Sequence, residues 1–370
     1  MPYSLTVKKI EGKPGQVYYP LQLNEIPIPT PGPGQVLVKL AAASLNHRDL
    51  FVRQHLYPAI SFTAPLLSDG YGTVIELGGP SPSPLAQSLL HKPVILTPSW
   101  GWESDPLGPE NNGRDYGVLG AGAKHETGVG QEYVLVPEDE AFLAPEHLTA
   151  AEGAALPLVG LTGWRALVSK TGEALPGRNI LVTGIGGGVA LQVLQFAVAI
   201  GCNVYVTSGD EEKIRRAKEM GAKGGVSYKA KDWDRQLGAM LPKERPWLDA
   251  VVDGAGGDVV GKTVRLLKSG GVISSYGMTV GPKMDWLMQA VLKNVELKGS
   301  TMGSKREFKE MVEFVREKGI RPVVSRVIKG IDNIEGIDGL FDDMKAGRQF
   351  GKLVILIDKE AAGGDSPSKL

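Results

Sequence analysis

The chain reads as an α/β protein, with a doubly wound parallel sheet and a smaller β-rich domain. Three observations predict this. From Ile180 to Ser208 a strand, a glycine turn, a helix and a second strand follow one another without a break. From there to about Ser300 short apolar runs alternate with helical patterns. Before it, Met1 to Val159 is rich in Pro and Gly and carries short alternating stretches such as QVLVKL (Gln35 to Leu40), GTVIEL (Gly72 to Leu77), PVILT (Pro93 to Thr97) and EYVLV (Glu132 to Val136). Short strands between turn signals are the mark of a small β domain.

In the central stretch, Ile180-Leu181-Val182 suits a strand buried on both faces. Gly184, Gly186, Gly187 and Gly188 follow. Val189, Val193, Phe196, Ala197 and Ile200 then recur at helical spacing up to Gly201, and Val204 to Thr207 gives the next strand. Such an order leaves bare backbone N–H groups at a helix start, where a pyrophosphate can dock without a side chain in the way. It predicts a dinucleotide-binding Rossmann half-fold and hence redox chemistry. With 49 glycines in 370 residues, the glycine cluster alone is weak; the order of the elements carries the reading. Ala190 stands where a third small residue is wanted, and alanine serves for close helix–strand packing. A tight turn with no ligand is the plainer alternative.

An NAD site usually has an acid at the end of the second strand to hold the ribose 2′-OH. Here that place is Ser208, followed by Gly209, so a 2′-phosphate would meet no repulsion. Lys213 lies near the start of the next helix, within reach of that phosphate. Asp210, Glu211 and Glu212 fit capping and dipole compensation on the same helix. The expected cofactor is NADPH.

Further strands are expected near Gly225-Val226-Ser227, Ala250-Val251-Val252, Val272-Ile273-Ser274 and Val295-Glu296-Leu297, making six in two halves. Phe308, Val312 and Val315 mark one helix face. The expected domains are 1–159, 160–300, a return to the first domain over 301–358, and a flexible tail, 359–370. Lys+Arg and Asp+Glu both total 41, so no basic excess points to nucleic acid. No apolar run approaches the ~20 residues that cross a bilayer, and Met1 to Ile10 lacks a signal-peptide core. The single cysteine, Cys202, excludes an internal disulfide and a Cys-rich zinc lobe. The tail ends Ser368-Lys369-Leu370, the address read by the peroxisomal import receptor; a peroxisomal location is expected, with the cytoplasm as alternative.

Over nearly its whole length the sequence resembles the medium-chain dehydrogenase/reductases, within their zinc-less quinone oxidoreductase and enoyl reductase branch. The marks are PGPGQVLVKLAAASLNHRDL (Pro31 to Leu50), LYP (Leu56 to Pro58), SDGYGTV (Ser68 to Val74), LPLVGLTGWRAL (Leu156 to Leu167), the glycine loop, VVDGAGG (Val251 to Gly257), GGVISSYG (Gly270 to Gly277) and GKLVI (Gly351 to Ile355). The resemblance implies a GroES-like catalytic domain beside the Rossmann domain, with the nicotinamide between them. It implies a homodimer paired through edge strands near Val295 to Lys298. By position it puts Gly187, Gly188 and Val189 at the pyrophosphate, with Ser208, Lys213 and Tyr228 around the 2′-phosphate. Gly254, Ala255, Tyr276 and Gly277 border the adenosine ribose and the nicotinamide, Thr162 the carboxamide, and Lys352 the cleft. For Tyr228 and Tyr276 half-buried strand aromatics are the plainer alternative.

Zinc-dependent members hold their metal with Cys, His, an acid and Cys. The matching positions here are Asn46, Ser68, Asp69 and Leu158, a poor zinc set, and no metal is expected. Without a Lewis acid to lower an alcohol pKa, oxidation of a simple alcohol is harder. Reduction of a quinone or an α,β-unsaturated carbonyl needs only hydride and hydrogen-bond donors at the developing oxyanion. The resemblance places Asn46 at the nicotinamide edge, as a donor to cofactor or substrate or as a turn residue. Phe51 stands where some quinone reductases carry a tyrosine, so Tyr57, His47 and water remain as proton donors. An enoyl-thioester reductase would need basic residues at the cleft mouth, for which Arg48, Arg53, Lys305 and Arg306 are candidates. An atypical alcohol dehydrogenase is a weaker enzyme reading, and a non-catalytic NADPH sensor is the rival outside enzymes.

Overall fold

The computed structural model describes residues 1–358, in two units: Met1–Leu158 with the chain from Ser304 onward, and Val159–Gly303. The import tripeptide Ser368-Lys369-Leu370 lies outside the described residues.

The first unit begins with a hairpin, β1 (Tyr3–Val7) against β2 (Leu21–Glu25). The long strand β3 (Gln35–Ser44) follows and leads into helix α1 (His47–Arg53). Next come β4 (Asp69–Leu77), α2 (Pro84–Leu89), β5 (Pro93–Leu96), a two-residue pair β6 (Ser99–Trp100) with β7 (Gly117–Val118), β8 (Tyr133–Pro137), β9 (Ala141–Leu143) and α3 (Ala150–Ala155). The alternating runs expected from sequence are β3, β4, β5 and β8, each shifted by no more than a few residues.

β3 is the hub, because β4, β8 and a strand from the far end of the chain all pair antiparallel with it. Val36, Val38 and Leu40 point into the core of the unit. Ala42 instead meets Ala151, Ala154 and Ala155 of α3, where small side chains let the helix sit close.

The second unit opens on α4 (Pro157–Trp164), whose first two residues belong to the other unit, and continues as a π-helical turn, Arg165–Lys170. It then alternates: β10 (Asn179–Val182), α5 (Gly188–Ile200), β11 (Asn203–Ser208), α6 (Glu211–Glu219), β12 (Gly224–Ser227), α7 (Trp233–Met240), β13 (Leu248–Asp253), the short β14 (Gly256–Gly257), α8 (Val259–Thr263), β15 (Leu267–Ser275), β16 (Gly281–Met284), α9 (Met288–Leu292) and β17 (Glu296–Gly299). Six of these strands form one parallel sheet in the order β12-β11-β10-β13-β15-β17. This is the doubly wound arrangement expected, and its reversal point falls between β10 and β13. Leu181, Val251 and Ile273 from the sheet pack with Leu237, Val260 and Val264 from the helices. Each such buried side chain contributes roughly 1.5–3 kcal/mol. Cys202, between α5 and β11, is buried and donates to the Leu175 carbonyl at 3.3 Å; burial pushes its thiol up to about 11.

The chain then returns to the first unit as α10 (Lys305–Lys318), β18 (Val324–Lys329), α11 (Ile334–Lys345) and β19 (Lys352–Leu356). α10 starts on a capping box, Ser304 with Glu307, and buries Phe308, Val312 and Val315 as the spacing predicts. β19 completes the sheet by pairing with β18 on one side and β3 on the other. No described helix is long and apolar enough to cross a membrane.

Candidate functional site

In the Val159–Gly303 unit the glycine turn links β10 to α5. Gly184 and Gly186 adopt φ of 66° and 115°, a region that side chains disfavour. Gly187 is the N-cap of α5, and no side chain caps the helix. The first-turn N–H groups therefore keep the positive end of the helix open to an anion. A Cβ at Gly187 would find only a carbonyl at 3.7 Å, so the turn leaves room for a ligand against the backbone. Gly188 and Val189, the first helical residues, complete this cradle. The residues fit the pyrophosphate of a dinucleotide.

Around the end of β11 the structure brings the expected neighbours together. A Cβ on Gly186 would meet the Lys213 stem at 2.7 Å, so Lys213 lies directly against the turn. Burial lowers the Lys213 pKa, and Asp210 pulls it back up. The Ser208 hydroxyl donates to the Ile185 carbonyl at 3.4 Å and accepts the Asp210 N–H at 3.2 Å. The Tyr228 side chain is exposed, with its hydroxyl over Gly209, and Lys229 reaches the same place; sequence reasoning missed Lys229.

At the ends of β13 and β15, Gly254 lies under the Tyr276 ring and Gly277 sits beside it. Asp253 shapes this corner, accepting Thr183 Oγ1 at 2.6 Å and the N–H groups of Ala255 and Gly256. Burial raises the Asp253 pKa against those bonds. Burial also raises the Tyr276 phenol, with the Asp253 charge adding to it. Thr162 is buried on α4 and donates to Met302 Sδ at 3.7 Å.

The first unit holds a second polar centre. Asp69 is fully buried, and its Oδ2 accepts from Lys352 Nζ at 2.8 Å, Asn46 Nδ2 at 2.8 Å and Ser44 Oγ at 3.2 Å. Its Oδ1 accepts the Leu158 N–H at 2.8 Å. Lys352 Nζ also donates to Asn46 Oδ1 at 2.6 Å and to the Leu45 carbonyl at 2.8 Å. Ser68 Oγ is 3.5 Å from Asn46 Nδ2. The four positions matching zinc ligands therefore do converge, and a lysine ammonium lies among them. The Asn46 amide is turned inward to Asp69 and Lys352.

Next to this centre, Asp49 is fully buried and accepts the Asn46 N–H at 2.8 Å, which starts α1. Burial raises its pKa, and Arg48, at 3.1 Å, lowers it. Arg48 also donates to the Gly120 carbonyl at 2.8 Å and lies under the Tyr57 ring. His47 is exposed at the head of α1, edge-on to Phe51; surrounding protein bulk lowers its pKa.

Three of the basic residues suggested for a thioester mouth are used elsewhere. Arg48 and Arg53 are buried, Arg53 between Tyr18, Phe341 and Asp338. Lys305 is held by Glu103, Asp139 and Glu140 at 2.7–2.9 Å. Three carboxylates thus share one ammonium. Burial pushes Glu140 up to about 7, although Thr97 and Lys305 both bond to it. Arg306 alone stays exposed. The loop that replaces a cysteine lobe is organised by Glu110, which accepts the N–H groups of Glu103, Ser104 and Asp105. These bonds hold its carboxyl near 2 against desolvation.

Comparison with known proteins agrees with this architecture. Residues 32–146 match the alcohol dehydrogenase GroES-like domain, and residues 188–317 match the zinc-binding dehydrogenase domain. The chain is 57% identical to the zinc-type alcohol dehydrogenase-like protein YogA of Leptosphaeria maculans, over 96% of this chain and 100% of the relative. It is 30% identical to the zinc-type alcohol dehydrogenase-like protein C1773.06c of Schizosaccharomyces pombe, over 94% and 95%. Among solved structures, an NAD-dependent alcohol dehydrogenase superposes with a TM-score of 0.80 at 30% identity, over 97% of this chain and 100% of that one. The GroES-like unit, the doubly wound unit and these relatives together show that the chain belongs to the medium-chain dehydrogenase/reductase superfamily, a family of nicotinamide-dependent oxidoreductases.

Proposed function

We propose that the protein is an NADPH-dependent reductase that transfers hydride to a quinone or an α,β-unsaturated carbonyl without zinc. One observation carries this reading: Lys352 donates to both Asn46 and Asp69, inside the set of positions that matches the family's zinc ligands. An ammonium bonded to those oxygens competes with a divalent ion for them. Leu158 and Ser68 add no donor of the kind zinc prefers. The residues do not fit a catalytic zinc, and without a Lewis acid the reduction of an activated double bond is the easier chemistry.

Support for NADPH comes from the end of β11. Ser208 offers no carboxylate to a ribose 2′-OH, while Lys213, Tyr228 and Lys229 gather around Gly186 and Gly209. When bound, the nicotinamide supplies the hydride. Thr162, Tyr276 and Gly277 are proposed to orient it, and the turn at Gly187 to hold the pyrophosphate. We also propose a homodimer through β17. Among the described residues that strand pairs only with β15, and Leu297, Trp286, Val291 and Leu292 are exposed beside it. The names of the relatives, zinc-type alcohol dehydrogenase-like proteins, favour a second reading, an alcohol dehydrogenase.

Calorimetry with NADPH and NADH, together with oxidation assays on quinones, enones, enoyl-CoA esters and simple alcohols, tests the proposal. NADPH is expected to bind more tightly than NADH. Ser208→Asp is expected to weaken NADPH by about tenfold, or about 1.4 kcal/mol. Turnover is expected to survive EDTA. Stoichiometric zinc that is required for turnover would overturn the reading, as would activity confined to alcohols.

A further inference from the structure

We propose that Asn112 is a site of self-modification, where the protein converts an asparagine of its own surface to isoaspartate and so loosens the loop that Glu110 organises. Asn112 is followed by Gly113, and none of the other seven asparagines in the sequence precedes a glycine.

The backbone is already unfavourable at this point. Asn111 and Asn112 both hold φ of 53°, with ψ of 33° and 36°, so two residues with side chains sit together in the left-handed region. Single residues visit that region, and a run of them is disfavoured. Gly113 follows at φ of 73°. Both asparagines are exposed. Asn111 is occupied, because its Nδ2 donates to Asp115 Oδ2 at 3.0 Å. The Asn112 side chain bonds to nothing among the described residues, so no partner holds its amide back. A Cβ placed on Gly113 would meet nothing within 4 Å, so there is space for a ring to close. A single turn must open for the Gly113 nitrogen to reach Asn112 Cγ, and opening it relieves two left-handed conformations.

The Gly113 nitrogen loses its proton and bonds to Asn112 Cγ. The Cγ–Nδ2 bond breaks, and Nδ2 leaves as ammonia with that proton. Water then opens the five-membered imide. Breaking the bond to Cγ gives aspartate. Breaking the bond to the main-chain carbonyl carbon gives isoaspartate, whose backbone runs through Cβ and Cγ. Glycine permits the ring because no side chain shields its nitrogen. Nothing is oxidised or reduced, and no cofactor or substrate takes part.

Either product adds a carboxylate between Glu110 and Asp115. Isoaspartate also adds one atom to the backbone. That atom disturbs the turn in which the Arg114 N–H donates to the Asn111 carbonyl at 3.2 Å and the Tyr116 N–H to the Gly113 carbonyl at 3.3 Å. Tyr116 stands edge-on to Trp102 at 5.7 Å, and the Trp102 carbonyl accepts the Lys305 N–H at 2.8 Å. The lengthened turn therefore pulls on the contacts that dock this loop on α10.

The test ages the full chain at mildly acidic and at mildly alkaline pH. Peptide mass spectrometry reads the gain from amide to acid at each asparagine, and hydrogen exchange reads the segment 102–116. Asn112 is expected to convert faster than every other asparagine by about tenfold or more, and faster in alkali, where the attacking nitrogen loses its proton more readily. Isoaspartate is expected as the main product. Exchange in 102–116 should quicken in the aged wild type and stay at the fresh value in aged Asn112→Gln, which would need a larger ring. Fresh Asn112→Asp, which adds the charge without the extra backbone atom, should quicken exchange less than ageing does. Conversion at Asn112 no faster than at Asn24 or Asn111 overturns the site. Conversion that leaves exchange unchanged overturns the loosening, and equal exchange in Asn112→Asp and the aged protein overturns the role of the lengthened backbone.

Discussion

The glycine turn before α5 and the Asn46–Asp69–Lys352 cluster treat polar groups in opposite ways. At the turn the helix start has no side-chain cap, and its N–H groups are left for something to arrive. In the cluster every oxygen of Asp69 and each polar atom of the Asn46 amide is already bonded within the unit. The first region offers bare backbone to an anion. The second is closed on itself.

The contrast is most vulnerable at Lys352. Replacing it with methionine leaves Asp69 as an unpaired buried charge, expected to cost about 3–5 kcal/mol in urea unfolding. Adding Asp69→Asn should restore much of that loss. If Lys352→Met alone unfolds at the wild-type urea concentration, the cluster is not the closed unit described. Gly186 probes the other side. Gly186→Val forces a side chain into φ of 115° and against the Lys213 stem, so NADPH affinity should drop by about tenfold, or about 1.4 kcal/mol. The unfolding curve should move much less than for Lys352→Met.

A smaller effect is expected at Glu140, a buried carboxylate that shares one ammonium with two others. Its carboxyl is raised to about 7 by burial, above its unfolded value of 4.5. A raised acid holds its proton longer in the folded protein, so its contribution to stability is full below about 4.5 and is lost as pH rises through about 7. Melting curves across that window should show wild-type stability falling as pH rises. In Glu140→Gln the slope should flatten. An unchanged slope would mean that Lys305 keeps Glu140 ionised throughout.

The parallel sheet was legible because its strands are short apolar runs bounded by glycine and polar turns, and buried strands of that kind leave a local trace. The glycine turn was legible for the same reason. The polar centre was legible only in part. Asn46 and Asp69 could be aligned by motif, but their bond to Lys352 joins positions about 300 residues apart, and no local pattern encodes it. Sequence reasoning puts Arg48 and Arg53 at the surface, where arginine usually lies. They are buried because distant partners receive them, Gly120 for Arg48 and Asp338 for Arg53. The Asn46-x-x-Asp49 spacing was the one available hint, since an acid three residues past an N-cap tends to reach back.

Cys202 has a consequence under the proposed reading, in which the substrates are quinones or enones. Those molecules alkylate thiolates, and an enzyme that ligates metal through exposed sulfur carries its own point of inactivation. Here the lone thiol is held at about 11 and shielded by packing. At neutral pH only roughly one molecule in ten thousand would carry the reactive anion. Under the proposed reading, the buried, protonated Cys202 is spared the alkylation that an exposed thiolate would suffer.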